Sequence, residues 1–170
     1  MVCLDETGAK TNFTRRCGWA PKGERRHATA PFGHWNSTTL AAAIDARGVV
    51  ASFVYPGATD GAAFRTFVEK VLLPELRRGD VLALDNLGSH ADAAALRLLA
   101  EAGVEVAPLP AYSPDLNPIE NIFSKAKALV RQAGARTCDT LLTAIGAALA
   151  AVTPNDCANS FRHAGYGNGN

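Results

Sequence analysis

Cysteine is scarce in this sequence, and its spacing is uninformative in a useful way. The four residues, Cys3, Cys17, Cys138 and Cys157, include no C-x-x-C pair. That argues against a zinc centre or a disulfide framework and for reduced thiols in a cytosolic chain. No apolar run approaches a membrane span. Nothing at the N-terminus reads as a signal peptide, because Met1 leads straight into Val2-Cys3-Leu4-Asp5. Gly8-Ala9-Lys10-Thr11 lacks the adjacent Gly-Lys and the earlier glycine of a phosphate-binding loop. There is no G-x-S-x-G nucleophile elbow, internal repeat or low-complexity segment.

Net charge is also nearly missing. The total of +1 does not by itself point to nucleic acid, but the distribution is uneven. Six cations lie between residues 10 and 27 (Lys10, Arg15, Arg16, Lys22, Arg25, Arg26) against Glu24 alone. Four more lie between residues 120 and 136 (Lys125, Lys127, Arg131, Arg136) against Glu120 alone. The remainder is therefore net acidic, and two basic segments are hidden in a neutral total.

What is present reads as one α/β domain of 170 residues, long enough to bury a core. Residues 1–5 have the character of a strand end, short enough to suggest that the natural protein begins upstream. Residues 6–37 are rich in Gly, Pro and Arg and lack periodicity, as functional loops do. Trp19 and Trp35 lie there; a tryptophan in such a loop more often anchors it to its own core than meets a partner. Residues 37–44 and 49–55 flank the turn sequence Asp45-Ala46-Arg47-Gly48 and read as a hairpin, although the alanine-rich first arm would also suit a helix. Thr59 or Asp60 then caps a helix with Phe64, Phe67, Val68, Val71 and Leu72 on one face, ended or kinked by Pro74. Val81-Leu82-Ala83-Leu84 suits a strand buried on both faces. A helix over 91–102, a strand over 104–107, and helices from 118, near 138–151 and from 153 complete the order β-β-β-α-β-α-β-α-α. This is a mixed five-stranded sheet with helices on both faces.

Three acids stand at informative places. Asp5 and Asp85 each end an apolar strand-like run, where α/β sheets gather ligands. Glu120 follows a stiff segment punctuated by Pro108, Pro110 and Pro114, in the first turn of a helix that Asn117 would cap and Pro118 would open. Asn117-x-x-Glu120 could be only a capping box. With Asp5 and Asp85 beside it, Glu120 instead completes an all-oxygen site suited to Mg²⁺ or Mn²⁺. Two such ions serve phosphoryl transfer by activating the attacking oxygen and stabilising the leaving one. Strand alternation turns Glu6 to the opposite face, outside this set. Lys127 and Arg131 share a helix stripe with Glu120, either a phosphate-binding track or a solvated face. His90, in a Gly-Ser loop, either positions a water or phosphate or packs the loop. Asn86 and Asn121 flank the acids and could orient them.

The segments Asp5-Glu6-Thr7-Gly8, Leu84-Asp85-Asn86 with His90, and Tyr112-Ser113-Pro114-Asp115-Leu116-Asn117-Pro118-Ile119-Glu120 resemble the insertion-sequence transposases related to mariner. These are D-D-E transposases with a ribonuclease H-like fold. The 34 residues between Asp85 and Glu120 (86–119) fit the interval of that branch. Trp19-Ala20-Pro21-Lys22-Gly23 and Phe161-Arg162-His163-Ala164-Gly165-Tyr166 look like it too.

The resemblance implies a catalytic domain over residues 1–166, with 167–170 a frayed tail. It implies that Asp5, Asp85 and Glu120 are the catalytic triad and bind two divalent metals, Mg²⁺ or Mn²⁺, with Asp5 bridging. The implied reaction is phosphodiester hydrolysis at an element's end, then attack of the freed 3′-hydroxyl on target DNA. Its partners would be double-stranded DNA, both transposon ends and target, and a second subunit in a DNA-bound homodimer. The basic loop carrying Arg15, Arg16, Lys22, Arg25 and Arg26 corresponds to a region that contacts DNA and the partner subunit. The helix-turn-helix region of the family is absent, so a separate N-terminal DNA-binding segment or a truncated copy is expected. The expected location is the bacterial cytoplasm, at the nucleoid. Two other readings fit the same residues: a ribonuclease H-like nuclease without strand transfer, and a non-catalytic remnant that only dimerises or binds DNA.

Overall fold

In the computed structural model, which describes residues 1–14, 18–25, 27 and 37–167, five strands form one sheet in the order β3-β2-β1-β4-β5. The strands are β1 (Val2–Ala9), β2 (Thr38–Asp45), β3 (Gly48–Pro56), β4 (Val81–Leu84) and β5 (Glu105–Pro108). The first three form an antiparallel meander, and β4 and β5 join β1 in parallel. This is the ribonuclease H-like arrangement expected. The alanine-rich arm resolves as strand β2, where tertiary pairing on both sides overrides helix propensity. Its turn is closed by the Asp45 carboxylate, which accepts from the backbone N–H groups of Arg47 and Gly48.

The sequence reading ended β1 at Asp5, and the structure corrects this. Residues 6–9 continue the strand, paired with β2 through Ala9 opposite Thr38. Polar Glu6-Thr7-Gly8 hid the continuation, since apolar content alone does not mark a strand whose neighbour supplies the ladder. The expected anchoring of Trp19 is also not found: the side chain is 97% exposed. Trp35 lies outside the described residues.

Helices cover both faces. On one face lie α1 (Gly61–Phe67) and α2 (Ala93–Glu101), burying Phe64, Phe67, Leu72 and Leu99 against Val2, Leu4 and Leu82. Asp60 caps α1 by accepting from the Ala63 N–H, and Asp92 caps α2 through Ala95. Helix α1 runs on through a π turn, in which the Leu73 N–H reaches the Val68 carbonyl, and a 3₁₀ turn containing Pro74. On the other face lie α3 (Ile119–Ala133), α4 (Cys138–Ala150) and α5 (Pro154–His163), whose Phe123, Leu141, Ile145 and Phe161 pack with Cys3, Leu40 and Ile44. Thr137 and Thr153 cap α4 and α5 in reciprocal capping boxes. Among the described residues no single helix is long and apolar enough to cross a membrane.

Candidate active site

Strand order fixes the site. Val2 pairs with Leu82 and Cys3 with Ala83, so continuing the parallel register brings Asp5 level with Asp85, just past the end of β4. This is where an α/β sheet opens a crevice, at the switch between antiparallel and parallel neighbours. The third acid arrives from the loop after β5. That loop is tied down twice: the Leu109 N–H donates to the Leu84 carbonyl at 2.8 Å, and Asn86 Nδ2 donates to the Leu109 carbonyl at 3.2 Å. Farther along, the Tyr166 hydroxyl donates to the Leu116 carbonyl at 2.9 Å, bracing the loop from the C-terminal end. A cleft of about 480 Å³ results, lined by Asp5, Asp85, Asn86, Leu109, Tyr112, Asn117 and Glu120 among others.

The capping-box alternative for Glu120 does not hold. Asn117 makes no side-chain cap, and α3 starts at Ile119. The buried Asn117 side chain turns instead to the sheet, where Nδ2 donates to Asp5 Oδ2 at 2.9 Å. The Glu6 N–H donates to Asp5 Oδ1 at 2.7 Å. Burial drives the Asp5 carboxyl up to about 7, and the charges of Asp85, Glu120 and Glu6 push the same way against the stabilising Glu6 N–H. No cation partners Asp5 among the described residues, and its acidic neighbours on the cleft make this a site short of positive charge.

Asp85 is held differently. Its Oδ1 accepts from the Leu87 N–H at 3.1 Å and lies 2.8 Å from His90 Nδ1. His90 is 3% exposed, its ring lies tilted against that of Phe64 with centroids 4.7 Å apart, and its Nε2 lies 3.0 Å from both carboxylate oxygens of Glu6. Burial pulls the imidazole down, but Glu6, through its hydrogen bond and its charge, and Asp85 outweigh that and leave it above the ordinary histidine range. Alternation placed Glu6 on the opposite face of β1, and that is where it lies. Nothing in the sequence announced its partner, which is 84 residues away.

The remaining expected residues divide. Asn86 lines the cleft. Asn121 does not; it lines a separate groove with Lys125, Asp156 and Ser160. Arg131 lies over the Phe13 ring at 5.1 Å, and Lys127 borders a small apolar recess with Phe13 and Ala9. Lys22 and Arg25 are exposed. Arg15, Arg16 and Arg26 lie outside the described residues.

Among the described residues no three His, Cys, Asp or Glu side chains converge tightly enough to enclose one ion. The donor chemistry nonetheless fits divalent cations. All three carboxylates face one open cleft, which suits Mg²⁺-type ions that complete their shells with water and substrate phosphates. Asn117 Oδ1 is buried with no hydrogen-bond partner, an acceptor placed to take a hydrogen from such a water.

No curated protein sequence matches the chain. Solved structures do. A Mos1 transposase paired-end complex with left transposon end matches at TM-score 0.77 and 23% identity, covering 95% of this chain and 51% of that one. The Mos1 mariner paired-end complex with Mn matches at 0.74 and 22%, with the same coverage. The catalytic domain of Mos1 mariner transposase matches at 0.66 and 21%, covering 95% of this chain and 74% of that one. The chain thus spans about half the length of the longer Mos1 chains, and at these identities the likeness is one of fold. A family model described as DDE superfamily endonuclease matches residues 1–142, most of the chain and all three cleft acids. With that match, the protein belongs to the DDE superfamily endonucleases.

Proposed function

We propose that this chain is the catalytic domain of a transposase, carrying out divalent-metal-dependent DNA strand cleavage and strand transfer, with Asp5, Asp85 and Glu120 as its catalytic acids. The observation that carries the reading is the meeting of those three carboxylates, from two adjacent parallel strands and one helix start, in a single cleft. Two Mg²⁺ or Mn²⁺ ions bound there would supply activation of the attacking oxygen and stabilisation of the leaving oxygen. Asp5, with each oxygen carrying one hydrogen bond, keeps a lone pair free on both and would hold such ions through either oxygen. Glu120 is exposed at the start of α3 and can follow a substrate phosphate. Asn117 and the Glu6 N–H hold Asp5 in orientation, and Asn86 holds the Asp85 loop against the loop after β5.

Mos1 is described bound to transposon ends and in a strand transfer complex, and with Mn and Mg. By analogy the partners here are duplex DNA at transposon ends and target, and a second subunit. Exposed Lys22 and Arg25, with Arg15, Arg16 and Arg26 of the same basic stretch of sequence, are proposed to meet phosphate.

The test is nicking of supercoiled plasmid with Mn²⁺ by wild type and Glu120→Gln, followed by a pre-cleaved duplex with a free 3′-hydroxyl and a plasmid target. Cleavage and joining by wild type alone are expected. Equal nicking by both proteins would remove Glu120 from the catalytic set, and nicking without joining would leave a nuclease.

A further inference from the structure

We propose, resting on the DNA-cleaving reading above, that Tyr112 is a stacking platform for an unpaired nucleobase beside the phosphate on which the cleft acts.

Two features of Tyr112 do not follow from folding. The side chain is 102% exposed, so its ring packs on no part of its own chain. A tyrosine placed by folding alone buries its ring and gives its hydroxyl a partner. The backbone stands at φ 58°, and Tyr112 is the one non-glycine residue with positive φ among the described residues. That left-handed region is the usual place of Gly, Asn or Asp and is costly for a bulky side chain. An aromatic ring thus occupies a turn position that calls for glycine or asparagine, with no packing to offset the strain. Strain of this kind, imposed by the surrounding structure, gathers at functional sites.

The surroundings do impose it. Pro110 and Pro114 fix φ on either side of the turn. The Leu109 N–H is bonded to the Leu84 carbonyl before it, and the Leu116 carbonyl accepts from the Tyr166 hydroxyl after it. Across the turn, Ser113 Oγ donates to the Ala111 carbonyl at 3.4 Å. The ring is therefore presented by a braced loop, which has little freedom to lose when a ligand arrives.

Its position points to the ligand. Tyr112 lines the same cleft of about 480 Å³ as Asp5, Asp85 and Glu120. A space of that size holds a drug-sized group. A base pair with both of its strands does not fit, so DNA enters as a single strand where it reacts. An unpaired base has a π face that its neighbours no longer cover, and exposed aromatic rings in single-strand channels bind that face whatever the base. The acids of the cleft offer the phosphate backbone no attraction of their own, and contact with the base is the attraction that this wall can supply.

The experiment measures DNA binding by fluorescence anisotropy with Mg²⁺, in the 170-residue chain carrying Glu120→Gln so that the probes stay intact. One probe is a blunt duplex. The other is the same duplex with a short 3′ overhang, 2-aminopurine being its first unpaired base. Tyr112→Phe should bind both probes as its parent does. Tyr112→Leu and Tyr112→Asn should lose between about five- and a hundredfold on the overhang probe, the scale of one stacked base, and nothing on the blunt one. Quenching of the 2-aminopurine should be seen with Tyr and Phe at this position and not with Leu or Asn. Tyr112→Asn, suited to the left-handed backbone, should also unfold at a higher temperature than its parent, which removal of a ring that served the fold would not do. Overhang binding undiminished in Tyr112→Leu, equal losses on both probes, or a lower unfolding temperature for Tyr112→Asn would each overturn the platform while leaving the cleavage reading intact. Cutting of the probes by the Glu120→Gln chain, or no binding to either probe, would overturn the DNA-cleaving reading and the platform with it.

Discussion

Asp5 and Glu6 are neighbours on one strand, and the two faces of the sheet treat them oppositely. Asp5 looks toward the α3 face, where its companions are an amide, an N–H and other acids. Glu6 looks toward the α1 face, where a buried imidazole meets both of its oxygens. One carboxylate has its counter-charge built in; the other has a deficit that a bound cation would fill. A buried acid with a fixed cation belongs to the architecture, whereas a buried acid among acids marks where something else is meant to bind.

The contrast can be broken most forcefully on the Glu6 side. His90→Leu alone strands the Glu6 carboxylate in the interior and should cost about 3–5 kcal/mol in urea unfolding. Phe123→Ala, in the core behind α3, should cost a similar amount, about 3–5 kcal/mol, by leaving a cavity where a 1% exposed ring stood. Because it lies on the opposite face from His90, it should leave the imidazole resonances in NMR unmoved. Asp5→Asn should act in the other direction. With Asp5 near 7 in the folded metal-free chain, the native state holds a proton that the unfolded state has released above its ordinary value near 3.8. Stability from this group is therefore greatest in acid and is lost as pH rises from about 4 to 7. In metal-free buffer at pH 8, Asp5→Asn should raise stability by on the order of 2–4 kcal/mol, and the gain should vanish near pH 4. No difference between the two pH values would remove the charge deficit. The smallest effect expected is that of Tyr166→Phe, which deletes the brace on Leu116 and should cost about 0.5–1.5 kcal/mol, read as a shift in the chemical denaturation midpoint.

Element types and order were legible because apolar periodicity changes from two to three and four where strands give way to helices, and because Asp60 and Thr153 stand at helix starts. The three acids were legible from their position after strand-like runs and a stiff loop. Three features were not. The end of β1 was masked by polar residues whose pairing depends on β2. Asn117 reads locally as a cap, and only the folded sheet offers Asp5 as a better partner. The basic run after Glu120 suggested a patch, yet Lys125 bonds Asp156, Arg131 covers Phe13 and Arg136 donates to the carbonyls of Thr11 and Phe13. Long side chains find partners from distant parts of the chain, and no local pattern records them.

The central position of β1 has a consequence for the order of assembly. This strand is made before the neighbours it pairs with: β2 and β4 begin at residues 38 and 81, and the third acid is residue 120. Such non-local pairing is slow to form, because long stretches of chain must close before any contact rewards them. Until synthesis has passed residue 120, Asp5 has no Glu120 to face. A nascent chain that stops short of α3 therefore holds an incomplete cleft, and the three acids come together only once that helix has been made.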